Sequence, residues 1–202
     1  MSLSVAALRD FGRLPMSTDP LSADVFIIHG QRCTYFIDCG SCDAALDFIL
    51  SVDGSRNLVL THFHADHSDN MKRFREGTFE TVYGGKKTIE RIGCGTIVNT
   101  ELELEEGIRI IPITNCHAKG SLAVELDGEY LFTGDALCGC DTPQGYGYNA
   151  GMLLSTIREL EKCKAKYIVP SHSTQIRPKD EVLTELRKIY SERKGNDPYI
   201  II

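Results

Sequence analysis

No apolar stretch in this 202-residue chain is long enough to span a bilayer. The opening residues, MSLSVAALRDFGRLP, also lack the basic segment and long apolar segment of a secretion signal, and Arg9 and Asp10 interrupt the one apolar run there. No membrane association is expected, and the cytoplasm is the expected compartment. Positive charge is in short supply too: 22 Lys and Arg against 28 Asp and Glu leave a formal net charge of -6. That balance argues against broad nucleic-acid binding, which depends on cations neutralising phosphates, and leaves open only a local basic groove. There is no internal repeat, low-complexity tract, linker or phosphate-cradling P-loop pattern. Residues 1–202 are therefore expected to fold as a single domain, which their number allows.

Disulfides are not expected either. The chain has eight cysteines, but it lacks a secretion signal, and with 42% hydrophobic residues it has enough to build a core without cross-links. Most are read as buried small residues. Cys39-x-x-Cys42 and Cys138-x-Cys140 are the only close spacings, and they alone leave open a redox pair or an accessory metal site.

What the chain does have is a set of short runs rich in β-branched and aromatic residues: DVFIIHG (24–30), CTYFIDCG (33–40), NLVLTH (57–62), IRIIPIT (108–114), LAVELDG (122–128), EYLFTGD (129–135) and KYIVPSH (166–172). These read as strands. Helical spacing links Ala44, Ala45, Phe48 and Ile49, then Leu153, Leu154, Ile157 and Leu160, then Val182, Leu183, Leu186 and Ile189. The pattern predicts sheets with helices packed outside. Asp127-Gly128 suits the positive-φ positions of a tight hairpin. The apolar end, PYIII, reads as a final strand docked on the core, or as a contact in a homo-oligomer.

Histidine is scarce, and its placement carries the chemistry. Of six in the chain, His62, His64 and His67 fall in the run THFHADH together with Asp66, directly after a predicted strand. Alternation in extended backbone puts His62 and His64 on one side, so two imidazoles can converge on one ion. Asp66 and His67 can supply a neighbouring ion. His117, Asp135 and His172 each end a predicted strand, which would deliver them to one edge of a sheet. Imidazole and carboxylate suit zinc, and also iron or manganese. His29 belongs to no such pattern and is read as a structural or surface histidine.

THFHADH matches the His-x-His-x-Asp-His signature of the metallo-β-lactamase superfamily, and Asp38, His117, Asp135 and His172 resemble its other signature positions in order, over residues 24 to about 176. The resemblance implies an α/β fold, a four-layer αββα sandwich with two divalent metal ions, zinc first among the choices, at one edge. It implies one ion on His62, His64 and His117, a second on Asp66, His67 and His172, and Asp135 between them. Asp38 would orient the metal-binding loop, a role outer carboxylates play by fixing ligand tautomer and direction.

By the same resemblance the chain is a hydrolase that uses a hydroxide shared by the two ions, with Asp66 as ligand and proton shuttle, on a small ester, thioester, lactone or phosphodiester. Two-zinc β-lactamases generally carry cysteine where Asp135 stands, and flavodiiron proteins carry Glu in place of His64. Glyoxalase II adds a helical domain after the last ligand, where this chain has only about 30 residues. The basic, Gly-rich arm of the transfer-RNA-processing members is not found in this chain. The Gly-rich segment 138–151 reads as a loop over the pocket mouth, with Tyr146, Tyr148 and Asn149 as candidates for contact with a small-molecule substrate. Two other readings stand beside this one: an oxidoreductase resembling the one-iron persulfide dioxygenases, and a non-catalytic binding module on the same fold. Intact ligand positions count against the module.

Overall fold

A computed structural model describes residues 11–115 and 117–202 of the chain. The opening segment, read above for a targeting signal, and Cys116 lie outside the described residues. In chain order these form β1 (Phe11–Leu14), β2 (Ser17–Thr18), β3 (Leu21–Ser22), β4 (Val25–His29), β5 (Thr34–Ile37), α1 (Asp43–Leu50), β6 (Arg56–Leu60), α2 (Ala65–Ser68), β7 (Thr81–Gly84), α3 (Lys86–Ile92), β8 (Thr96–Ile97) and β9 (Leu102–Glu103). There follow β10 (Ile108–Ile113), β11 (Ser121–Leu126), β12 (Tyr130–Gly134), β13 (Cys140–Thr142), β14 (Gly145–Asn149), α4 (Ala150–Lys162), β15 (Tyr167–Pro170), β16 (Arg177–Pro178), α5 (Lys179–Ser191) and β17 (Tyr199–Ile201). A single 3-10 turn, Asp69–Lys72, continues α2.

Two six-stranded sheets, ordered β1-β4-β5-β6-β7-β8 and β16-β15-β12-β11-β10-β9, dominate. Strand alternation decides how they stack. In β4, Phe26 and Ile28 join Val59 and Ile37 against Ile110, Val124 and Phe132 of the other sheet, forming the layer between them. Val25 and Ile27 point the opposite way and pack with Leu58 and Leu60 against Ala45 and Ile49 of α1. On the far side, Ile111, Ile113, Ala123 and Leu131 pack against Leu153, Ile157 and Leu160 of α4 and Val182, Leu183 and Leu186 of α5. Helices thus cover both outer faces of a sheet pair: the αββα sandwich expected from the resemblance.

All seven predicted runs are strands, and all three predicted helices are present. Asp127 and Gly128 adopt φ of 52° and 67°, and Leu126 O accepts from Glu129 N at 2.9 Å, so this pair makes the tight turn between β11 and β12. The last residues form β17, which pairs antiparallel with β14 and buries Ile200 against the α4 and α5 layer. The segment 138–151 corrects the expectation of an irregular loop. Residues 140–149 close into the hairpin β13–β14, with Cys140 opposite Gly147 and Thr142 opposite Gly145, and Ala150 already starts α4. Of the described cysteines, Cys39, Cys42 and Cys163 are buried. No helix among the described residues is long and apolar enough to cross a membrane.

Candidate metal centre

The chemistry-bearing residues are set by strand ends of both sheets. Strand β6 ends at Leu60, so Thr61 and His62 follow it directly, and His64 has the extended backbone that starts the short α2 carrying Asp66 and His67. From the other sheet, β12 ends at Gly134, immediately before Asp135, and β15 ends two residues before His172. His117 lies in the turn between β10 and β11. The sheets meet just beneath, where Leu122 N donates to Thr61 O at 2.8 Å.

Two groups result, His62 with His64 and His117, and Asp66 with His67, Asp135 and His172; within each, one donor atom per residue lies within 4.8 Å of the others. His64 Nδ1 is 3.0 Å from His117 Nε2, and His172 Nε2 is 3.0 Å from Asp66 Oδ2. One oxygen faces both groups: Asp135 Oδ2 lies 3.3 Å from His67 Nε2, 3.3 Å from His117 Nε2, 3.7 Å from His172 Nε2 and 4.0 Å from His62 Nε2. All seven positions singled out in the sequence are therefore together.

Asp38 sits beneath them, almost fully buried. Its Oδ2 accepts from His67 Nδ1 at 2.7 Å, and its Oδ1 accepts from Thr61 N at 2.7 Å. The Thr61 hydroxyl donates to the same carboxylate and can accept from His62 Nδ1 at 3.1 Å. One aspartate thus fixes two imidazoles, each with Nε2 turned to the cluster.

The electrostatics follow from these contacts. Burial, reinforced by His67, lowers the His62 pKa from 6.5 to about 2, so His62 is neutral and keeps a lone pair on Nε2. Burial also opposes a charge on His67, but the carboxylates of Asp38 and Asp135 outweigh it and raise its pKa to about 10. Burial and His117 lower His64. Hydrogen bonding to Asp135 raises His117, and hydrogen bonding to Asp66 raises His172 against burial. Burial pushes Asp135 up, yet hydrogen bonds from His117 and His67 hold it well below the carboxylate range; Asp66 is lowered by His172 in the same way.

A cation fits this arrangement on direct grounds. His62 Nε2 and Asp135 Oδ1 are buried with no hydrogen-bond partner among the described residues, and both belong to the cluster. Buried polar atoms are rarely left so unless something else satisfies them. Imidazole nitrogen with carboxylate oxygen is a donor set for divalent zinc, iron or manganese.

Among residues the sequence did not point to, Asp24 matters most. Its side chain is wholly buried; Oδ1 accepts from Arg13 Nε at 2.7 Å and Met16 N at 2.9 Å, and Oδ2 accepts from His172 N at 2.8 Å. His172 has φ of 56°, a conformation L residues rarely adopt, and the Asp24 bond helps to hold it there. The three substrate-contact candidates lie on the hairpin. Tyr148 is 7% exposed and its hydroxyl donates to Leu137 O at 2.9 Å. Asn149 caps α4, its side chain accepting from Met152 N. Tyr146 is about half exposed.

No family model matches the chain. The chain is 25% identical to the metallo-beta-lactamase fold-containing protein ST1585 of Sulfurisphaera tokodaii, over 79% of this chain and 76% of that protein. The crystal structure of ST1585 superposes with a TM-score of 0.62 at 21% identity, covering 94% of this chain and 90% of that one. The metallo-beta-lactamase FIM-1 from Pseudomonas aeruginosa, in its mono-zinc form, gives 0.66 at 14% identity over 90% of this chain and 89% of its own. ETHE1 from Myxococcus xanthus gives 0.62 at 18% identity over 94% and 93%. The chain has the metallo-β-lactamase fold. Its His-x-His-x-Asp-His run, with side chains that could hold a metal ion gathered around it, is consistent with the signature of proteins of that fold.

Proposed function

We propose that this protein is a binuclear metal-dependent hydrolase, with zinc as the metal, that cleaves a small ester, thioester, lactone or phosphodiester. The observation that carries this reading is Asp135 Oδ2, which faces both ligand groups and so suits a site for two ions. Bound there, divalent ions supply a water acidic enough to yield hydroxide near neutral pH and a Lewis acid for the substrate's carbonyl or phosphoryl oxygen.

The chain's own residues supply the rest. His62 and His67 are locked by Thr61 and Asp38 with Nε2 forward, so no rearrangement is needed on binding. Asp66, only part-buried and 3.0 Å from His172, is placed to hold a proton taken from the attacking water and return it to the leaving group.

The test is metal analysis of protein purified without added zinc, followed by a screen against phosphodiester, thioester, lactone and carboxylester substrates. Close to two zincs per chain and turnover that vanishes in Asp135→Ala are expected. A single iron per chain without hydrolysis would replace this reading with the oxygenase alternative.

A further inference from the structure

A cavity of about 640 Å³ opens beside the cluster, bordered by His64 and Ala65 and lined further on by Met71, Lys72, Arg91 and Ile92. Its charges are unevenly paired. Asp69 and Lys72 neutralise each other at 2.6 Å. Arg91, in the last turn of α3, has no carboxylate partner among the described residues. Instead its Cζ lies 4.1 Å from the centre of the Phe63 ring, and that ring meets His64 edge-on at 5.0 Å. A guanidinium stacked on an aromatic face keeps its N–H donors directed outward in its own plane, as a forked oxyanion site requires. An arginine with no carboxylate beside it, on the wall of a cavity that His64 also borders, is placed to meet an anionic group of a ligand.

We infer that this cavity binds the part of the substrate that carries a carboxylate, with Arg91 as the residue that selects it. Phe63, Met71 and Ile92 provide apolar wall for the short aliphatic stretch between that carboxylate and the scissile bond at His64. The substrate class becomes a half-ester or half-thioester of a dicarboxylic acid. This assignment rests on the hydrolase reading for the bond cleaved, but not for the binding of the acid.

Two measurements on zinc-loaded protein separate these claims. Calorimetric titration with glutarate and with valerate, which has the same chain length but lacks the second carboxylate, should show glutarate binding at least about tenfold tighter, the worth of one charge-assisted hydrogen bond. In Arg91→Gln the two acids should bind alike, and Arg91→Lys should recover part of the difference. The glutaryl and valeryl thioesters of N-acetylcysteamine then give the kinetic arm, in which Arg91→Gln should bring their kcat/KM ratio toward one. Arg91 is exposed, so both variants should keep the wild-type unfolding midpoint. Equal binding of the two acids by wild type, or a preference untouched in Arg91→Gln, overturns the inference. Hydrolysis of neither thioester, with the binding difference intact, takes thioesters out of the hydrolase reading and leaves the carboxylate site standing.

Discussion

His62 and His67 lie five residues apart and face the same cluster, yet their surroundings push their pKa values in opposite directions. Burial dominates at His62, which has a hydroxyl behind it and Asp135 no nearer than 4.0 Å, whereas His67 lies against Asp38 and beside Asp135. Because Asp38 fixes both rings, Asp38→Ala should weaken metal affinity by roughly 10–100-fold. Competition with a chromophoric chelator would measure it. Asp24→Ala should strand Arg13 and the amides of Met16 and His172. A loss of about 3 kcal/mol in denaturant unfolding is expected, near the lower end for a broken buried ion pair because Arg13 is partly exposed, along with a lower metal content. His62, His64, Asp66 and His67 were legible through residue type and local spacing, whereas His117, Asp135 and His172 stood out only as strand-end residues that resemble the superfamily's other signature positions. Asp24 was not legible: its partner His172 is 148 positions away, and a lone Asp before a strand looks like an ordinary polar residue.

Elements were legible in proportion to their length and burial. Strands with four or more buried residues leave a short run of β-branched and aromatic residues, while β2, β3, β8, β9 and β16 are two residues each and leave none. The hairpin β13–β14 was hidden by its glycines, which read as loop. Here Gly147 is needed because a Cβ would lie 2.1 Å from Ile200 O of the neighbouring β17. Asn149 ends that hairpin and begins α4 at once. Asn149→Ala should cost about 1 kcal/mol in unfolding free energy as a lost helix cap. If its role is capping alone, KM for the substrate found in the screen should not move; a raised KM would restore it as a substrate contact. Gly134 closes β12 with φ of 51°, and a Cβ there would lie 2.5 Å from Thr61 Oγ1. Gly134→Ala should therefore displace the hydroxyl that links Asp38 to His62, lowering the thermal midpoint and the metal content together.

At the scale of the whole molecule, the division of the ligands is the main feature. His62, His64, Asp66 and His67 follow the first sheet, whereas His117, Asp135 and His172 follow the second. Ions bound to the native state alone stabilise it by about 4 kcal/mol at a thousandfold excess over Kd. Chelation should therefore lower the thermal midpoint of the wild type, and the shift should shrink in Asp135→Ala.

That division has a mechanical side as well. Thr61 and Leu122 form a backbone bridge across the seam of the sandwich, directly under the place where both halves present their donors. A cation held there rivets the two halves beside that bridge. Hydrogen–deuterium exchange at the Leu122 amide should slow when metal is added, while amides in the middle of α5, remote from the rivet, keep their rate.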